Sequence, residues 1–231
     1  MSAADTVRTT LRGVGQTLIT LGVVVLLFCV YELQVTNLVT ARAQDRLGDE
    51  LAQAWAREPV RVPLPGAVGQ PASAPLPGGA FARLYVPALP GYTPQTLVEG
   101  VSVEDLKMGP GHIPRTALPG QLGNVVLSGH RTTYGAPFNR WDELNPGNQV
   151  VLETRDTWFT YTITGSRVVS PNAIEVTYPV PGDRRATPTK RLLTMTTCNP
   201  EYSAKQRLIV SAELTATSAK ADGLPPALKG A

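Results

Sequence analysis

The chain has 231 residues, of which 42% are apolar and 17% charged, with a net charge of +3. That composition belongs to folded rather than disordered proteins, and the length suits one ordinary domain plus appendages. No block of Lys or Arg is present to follow a phosphate backbone, so no nucleic-acid partner is expected.

Residues 1–12 are expected to be a cytoplasmic tail. From 13 to 31 no residue is charged, and a helix of that length spans roughly 28 Å, the thickness of a bilayer's hydrocarbon layer. A transmembrane helix is therefore expected over 13–33. Arg8 and Arg12 precede it and Glu32 follows, which keeps the N-terminus inside and puts the rest of the chain outside a plasma membrane crossed once. Ala41-Arg42-Ala43 has the form of a signal-peptidase site. It lies about ten residues beyond an apolar run that is itself longer than a usual signal core, so an anchor is preferred over a cleaved leader.

Residues 34–58 read as a juxtamembrane helical stalk, with Leu38, Leu47, Leu51 and Trp55 at helical spacing and Pro59 as its stop. A helix packed on the domain fits the same pattern. Residues 59–80 are rich in Pro, Gly and Ala, a composition that makes a semi-rigid linker rather than a core. The globular domain is expected over 81–217. Short β-branched and apolar runs at 82–89, 124–128, 149–154, 158–169, 191–197 and 207–214 read as strands between turn residues. The fold class is mainly β, a closed or nearly closed barrel with short helices and long loops. The long Pro-containing segment 170–190 is a functional candidate, although Glu175 and Asp183 alone make a poor calcium loop and no metal or other cofactor is expected. Residues 218–231 are expected to be a disordered tail.

There are two cysteines. Cys29 lies in the expected span and Cys198 outside it, so they cannot pair. An unpaired thiol in an outward-facing domain calls for an explanation. Cys198 ends an apolar strand just before Asn199-Pro200, where Pro stops the ladder, so its side chain is expected at a barrel rim. A thiol of ordinary acidity needs a base or cation beside it to act as a nucleophile. His130 also follows a strand, through Gly129, and is the preferred partner. His112, in a turn-rich stretch, is the less favoured histidine. Arg207 opens the next strand after Cys198, where a guanidinium could hold a developing oxyanion. A buried inert Cys, a solvated His and a surface Arg are the bland readings of the same residues.

The run Thr194-Met195-Thr196-Thr197-Cys198 resembles the Thr-Leu-x-Thr-Cys signature of sortases, with Met195 in place of the usual Leu. Gly129-His130-Arg131 resembles the histidine segment of that family, and Arg207 its arginine. Tyr134-Gly135-Ala136-Pro137-Phe138 and Thr197-Cys198-Asn199-Pro200 look most like the actinobacterial class E branch. The resemblance covers roughly 81–216. It implies a sortase β-barrel and a cysteine transpeptidase that cuts a C-terminal sorting signal of the Leu-Ala-x-Thr-Gly kind after Thr. The acyl group would pass through a Cys198 thioester to a peptidoglycan-precursor amine, anchoring secreted proteins to the wall. His130 would serve as general acid and base and Arg207 would stabilise the oxyanion, with Thr196, Thr197, Tyr134 and the 170–190 loop as substrate contacts. Two alternatives remain open from sequence: a membrane-tethered cysteine peptidase, and a non-catalytic wall-binding barrel.

Overall fold

In the computed structural model, residues 3–57 and 79–229 are described; the expected linker 59–80 falls almost wholly outside them. Helix α1 (Ala3–Arg57) runs unbroken for 55 residues. Among the described residues its first part has nothing to bury against: Leu18, Leu21, Val25, Phe28 and Tyr31 are each more than half exposed. This part is long and apolar enough to cross a bilayer.

From residue 36 onward the same helix lies on the domain. Leu47 and Leu51 are 4% and 3% exposed. Gln44 accepts from Thr96 N at 2.7 Å and donates to Thr96 O and Met108 O. Arg83 donates to Gly48 O at 2.9 Å and stands over the Trp55 ring. Of the two readings of this stretch, the structure shows a helix packed along the barrel.

Eight strands close the barrel in the order β1-β2-β3-β4-β7-β8-β6-β5. They are β1 (Ala80–Tyr85), β2 (Gln95–Glu99), β3 (Gly111–His112), β4 (Gly123–Ser128), β5 (Gln149–Glu153), β6 (Thr157–Val169), β7 (Arg191–Asn199) and β8 (Gln206–Ala219). One short helix, α2 (Val103–Met108), joins β2 to β3 and begins with a Ser102/Asp105 capping box. Period-2 alternation sends Val125 and Leu127 of β4, Leu193 and Met195 of β7, and Leu208, Val210 and Ala212 of β8 into the lumen. Phe159, Tyr161 and Ile163 of β6 complete this core. Fully buried aliphatic side chains of this size contribute about 1.5–3 kcal/mol each, so the lumen holds the fold together.

The first predicted strand is shorter than expected, because Val86 and Leu89 form a turn instead (Leu89 N to Val86 O, 3.1 Å). The C-terminus also differs from expectation. In place of a disordered tail from residue 218, β8 continues to Ala219 and two 3-10 turns follow at Lys220–Asp222 and Pro226–Leu228. The cause is Lys220, whose ammonium pairs with Glu153 and sits 4.3 Å from the centre of the Trp55 ring.

Candidate active site

Parallel strands β4 and β7 run side by side, with Ser128 opposite Thr196. The pairing continues one step past β4: Gly129 N donates to Thr196 O at 3.2 Å, and Thr197 Oγ1 donates to Gly129 O at 2.8 Å. His130 therefore leaves β4 level with Cys198 on β7. On the other side of β7, antiparallel β8 places Arg207 directly opposite Cys198. Ladder partners point to the same side of a sheet, with Cβ atoms about 4.5–5.5 Å apart. One end of the barrel thus carries the thiol between the imidazole-bearing loop and the guanidinium.

The side of the sheet matters. Leu193, Met195 and Thr197 alternate into the lumen, so Thr194, Thr196 and Cys198 face outward. The site lies on the outer face at the end of the strands, and Cys198 is partly exposed there. Deeper along this face the segment after β6 folds over as a cover. Asn124 Nδ2 donates to Val176 O and Tyr178 O at 2.9 and 3.1 Å, and Thr194 Oγ1 donates to Asn124 Oδ1. Val126 and Ile209 are buried. That is where part of the long 170–190 loop goes: Val176 and Tyr178 lie against Asn124, on the face that continues to Thr196 and Cys198.

Gly129 turns the chain out of β4 beneath Phe138. A Cβ at this position would stand 2.9 Å from the Phe138 ring, so a larger residue would push the loop off. Phe138 N donates back to His130 O at 3.0 Å, and Phe138 packs edge-on against Trp141 in the core. The His130 loop is therefore pinned at both ends. Within it, the Tyr134 ring lies 5.0 Å from the His130 ring. Tyr134 and Ala136 take left-handed backbone angles on either side of Gly135, a strained arrangement of the kind that collects at functional sites. Partial burial pushes the His130 pKa below its ordinary value by desolvating the imidazolium.

The structure brings Cys198, His130, Arg207, Tyr134 and Thr196 to this end. It does not bring Thr197 onto the face that carries Cys198. Thr197 is 3% exposed on the lumenal side and its hydroxyl is taken by Gly129 O. It ties β7 to β4 and does not face a ligand. His112 is elsewhere, 1% exposed in β3, with Nδ1 2.6 Å from Glu99 Oε2 and Nε2 2.9 Å from Thr116 Oγ1. Arg207 Nη1 donates to Ala204 O and Gln206 O, which orients its guanidinium along the loop after Cys198.

Sequence reasoning overlooked Arg131. Its guanidinium is 5% exposed, crosses to β7, and donates to Asn199 Oδ1 at 2.7 Å and to Cys198 O at 3.4 Å. On its other side it pairs with Asp142 at 3.0 Å. Asn139 continues the network to Arg131 O and Glu201. The residue after a catalytic candidate, basic and next to a loop that must be held, was the available signal.

A closed β-barrel with a partly exposed cysteine between His130 and Arg207, at the ends of β4, β7 and β8, is the class of protein that the geometry defines. The sortase-domain family profile matches residues 84–215. Sortase SrtE1 of Streptomyces coelicolor is 36% identical over 94% of this chain, and the match covers 60% of that protein. Sortase SrtE2 of the same organism is 34% identical over 90% of this chain and 83% of its own length. The structure of sortase E from Streptomyces avermitilis superposes with a TM-score of 0.61 at 42% identity, covering 67% of this chain and 99% of that one. The chain belongs to the sortase family, a family of cysteine transpeptidases, and these relatives come from the class E branch its motifs resemble.

Proposed function

We propose that this chain is a membrane-anchored transpeptidase that attaches secreted proteins to the cell wall through a Cys198 thioester. The observation that supports the reading best is the register that sets His130 level with Cys198 across β4 and β7, and Arg207 opposite it across β7 and β8. The apolar, solvent-exposed stretch of α1 from residue 13 to 31, preceded by Arg8 and Arg12, supports an anchor with the barrel outside the cell.

In this reading a sorting signal of the Leu-Ala-x-Thr-Gly kind lies along the outer face, between Thr196 and the loop at 170–190. The Tyr134 ring contacts the residues that precede the cut. The Cys198 thiolate adds to the Thr carbonyl carbon, and the Arg207 guanidinium stabilises the oxygen as it becomes negative. His130, as imidazolium, gives its proton to the amide nitrogen; the C–N bond breaks and the C–S bond remains as a thioester. An amine of a peptidoglycan precursor then attacks the thioester, His130 takes its proton, and the thiolate leaves. The Tyr134 ring, tilted against the His130 ring at 5.0 Å between centres, supports a fixed imidazole for both roles.

The test mixes the full chain in detergent with such a peptide and an oligoglycine or diaminopimelate-containing amine, and weighs the products. A transfer product is expected from the native chain and none from Cys198→Ala or His130→Ala, with severe slowing in Arg207→Ala. Equal cleavage with and without amine, yielding only the free acid, would make it a hydrolase. No reaction, and no difference on Cys198→Ala, would leave a binding barrel.

A further inference from the structure

The docked half of α1 has a direction. Its beginning lies against the histidine loop: Gly135 N donates to Asn37 Oδ1 at 2.9 Å, and a Cβ on Gly135 would meet Thr40 Cγ2 at 3.4 Å. Its end lies at the far pole, where Trp55 packs under Lys220, the residue after β8. Strand β8 starts beside Cys198 at Gln206 and finishes at Ala219. The helix therefore runs from the catalytic pole to the opposite pole, about 27 Å from Asn37 to Trp55.

The exposed apolar segment reaches Tyr31, a few residues before Asn37. A helix covers about 9 Å over that interval, and a fully extended chain no more than about 21 Å. The catalytic pole is thus tied next to the apolar segment, while the opposite pole stands a barrel length away. The loop that follows Cys198, residues 200–205, projects from this same pole. At its tip Tyr202 is 85% exposed, with φ of 62°. The loop is braced from behind by Asn139 Nδ2 donating to Glu201 Oε1. Tyr is a side chain enriched at the level of lipid headgroups.

We propose that the barrel stands with its catalytic pole toward the bilayer and rests the 200–205 loop, Tyr202 foremost, on the lipid headgroups. This rests on the reading of α1 as a membrane anchor. The opposite pole, marked by Thr189 before β7, points away from the membrane. Substrates reach Cys198 through the gap between barrel and lipid rather than from the bulk side.

The test uses the full chain in phosphatidylethanolamine/phosphatidylglycerol vesicles, with Cys29→Ala and Cys198→Ala removing the native thiols. Single cysteines at Tyr202→Cys, Lys205→Cys, Thr189→Cys and Val25→Cys carry a fluorophore, and lipids carry nitroxide quenchers at the headgroup or in mid-chain. Headgroup quenching at 202 should exceed that at 189 by at least about threefold, with mid-chain quenching at 25. Lys205→Cys reads the same loop if Tyr202→Cys does not fold. Equal or stronger quenching at 189, with 25 quenched in mid-chain, would leave the anchor standing and overturn the orientation. No lipid quenching at 25 would overturn the anchor and the orientation together.

Discussion

Replacing Arg131 by Ala removes the side chain that reaches from the histidine loop to Asn199, next to the nucleophile. The 2.7 Å bond to Asn199 Oδ1 is charge-assisted and partly buried, a class of interaction worth roughly 1.5–3 kcal/mol. The 3.4 Å approach to Cys198 O adds little. Asp142 is 57% exposed and regains water once the guanidinium is gone, so that pair counts for no more than about 1 kcal/mol. The buried methylene stem contributes packing as well. The variant should therefore unfold with a loss of about 2–4 kcal/mol. Freed from its brace, the Cys198–Asn199 turn no longer fixes the sulfur at the level of His130, and displacement on the order of 1 Å costs about a hundredfold in rate. Urea titration measures the first effect, and kcat for peptide transfer against KM measures the second, since a positioning residue should lower kcat and leave KM nearly unchanged. Arg131→Lys, able to reach one acceptor but not both sides of the network, should recover part of each. An Arg131→Ala protein with native stability and native kcat would refute the argument.

Three further outcomes follow from the same geometry. His112→Ala leaves the Glu99 carboxylate without its buried partner and should cost about 3 kcal/mol by chemical denaturation, while transfer per folded molecule stays within a few-fold; a dead but fully folded variant would shift the site to His112. Because burial depresses the His130 pKa, its midpoint followed by NMR in Cys198→Ala should lie below about 6.5. The stability linked to its neutral ring is then present above about pH 6.5 and is lost as pH falls through the folded value; a midpoint above 6.5 contradicts this. Leu51→Ala, at a position 3% exposed between α1 and the barrel, should lower stability by about 2–4 kcal/mol, and no loss on thermal or urea melting would mean that the helix does not depend on this contact.

Much of the barrel was legible because its long strands carry period-2 alternation over five or more residues, as β6 and β8 do. Strands β2 and β3 were not, and their invisibility has a cause. β3 is only Gly111–His112, too short for any period, and it is held by pairing to distant β2 and β4. His112 was misread as a loop residue for the same reason. The closeness of Cys198 and Arg207 could be read, since a short connection between antiparallel strands brings their ends together. The level of His130 could not, because it depends on a parallel register between segments some seventy residues apart. Thr197 is the instructive case: neighbours on a strand face opposite sides, so an outward Cys198 already implied an inward Thr197 and an outward Thr196. Arg131 and the docking of α1 rest on long-range hydrogen bonds to Asn199, Thr96 and Gly135, which no local pattern announces.

The claim on which the account stands is that the outer-face sulfur of Cys198 carries the acyl group. Incubating the full chain with the sorting-signal peptide alone, quenching in acid and weighing the tryptic fragment 192–205 tests it directly. The fragment should gain the mass of the peptide's N-terminal portion through Thr, on Cys198, and should lose it on adding an amine nucleophile. A fragment of unchanged mass while the peptide is being cut, or an acyl group found on another residue, would contradict it.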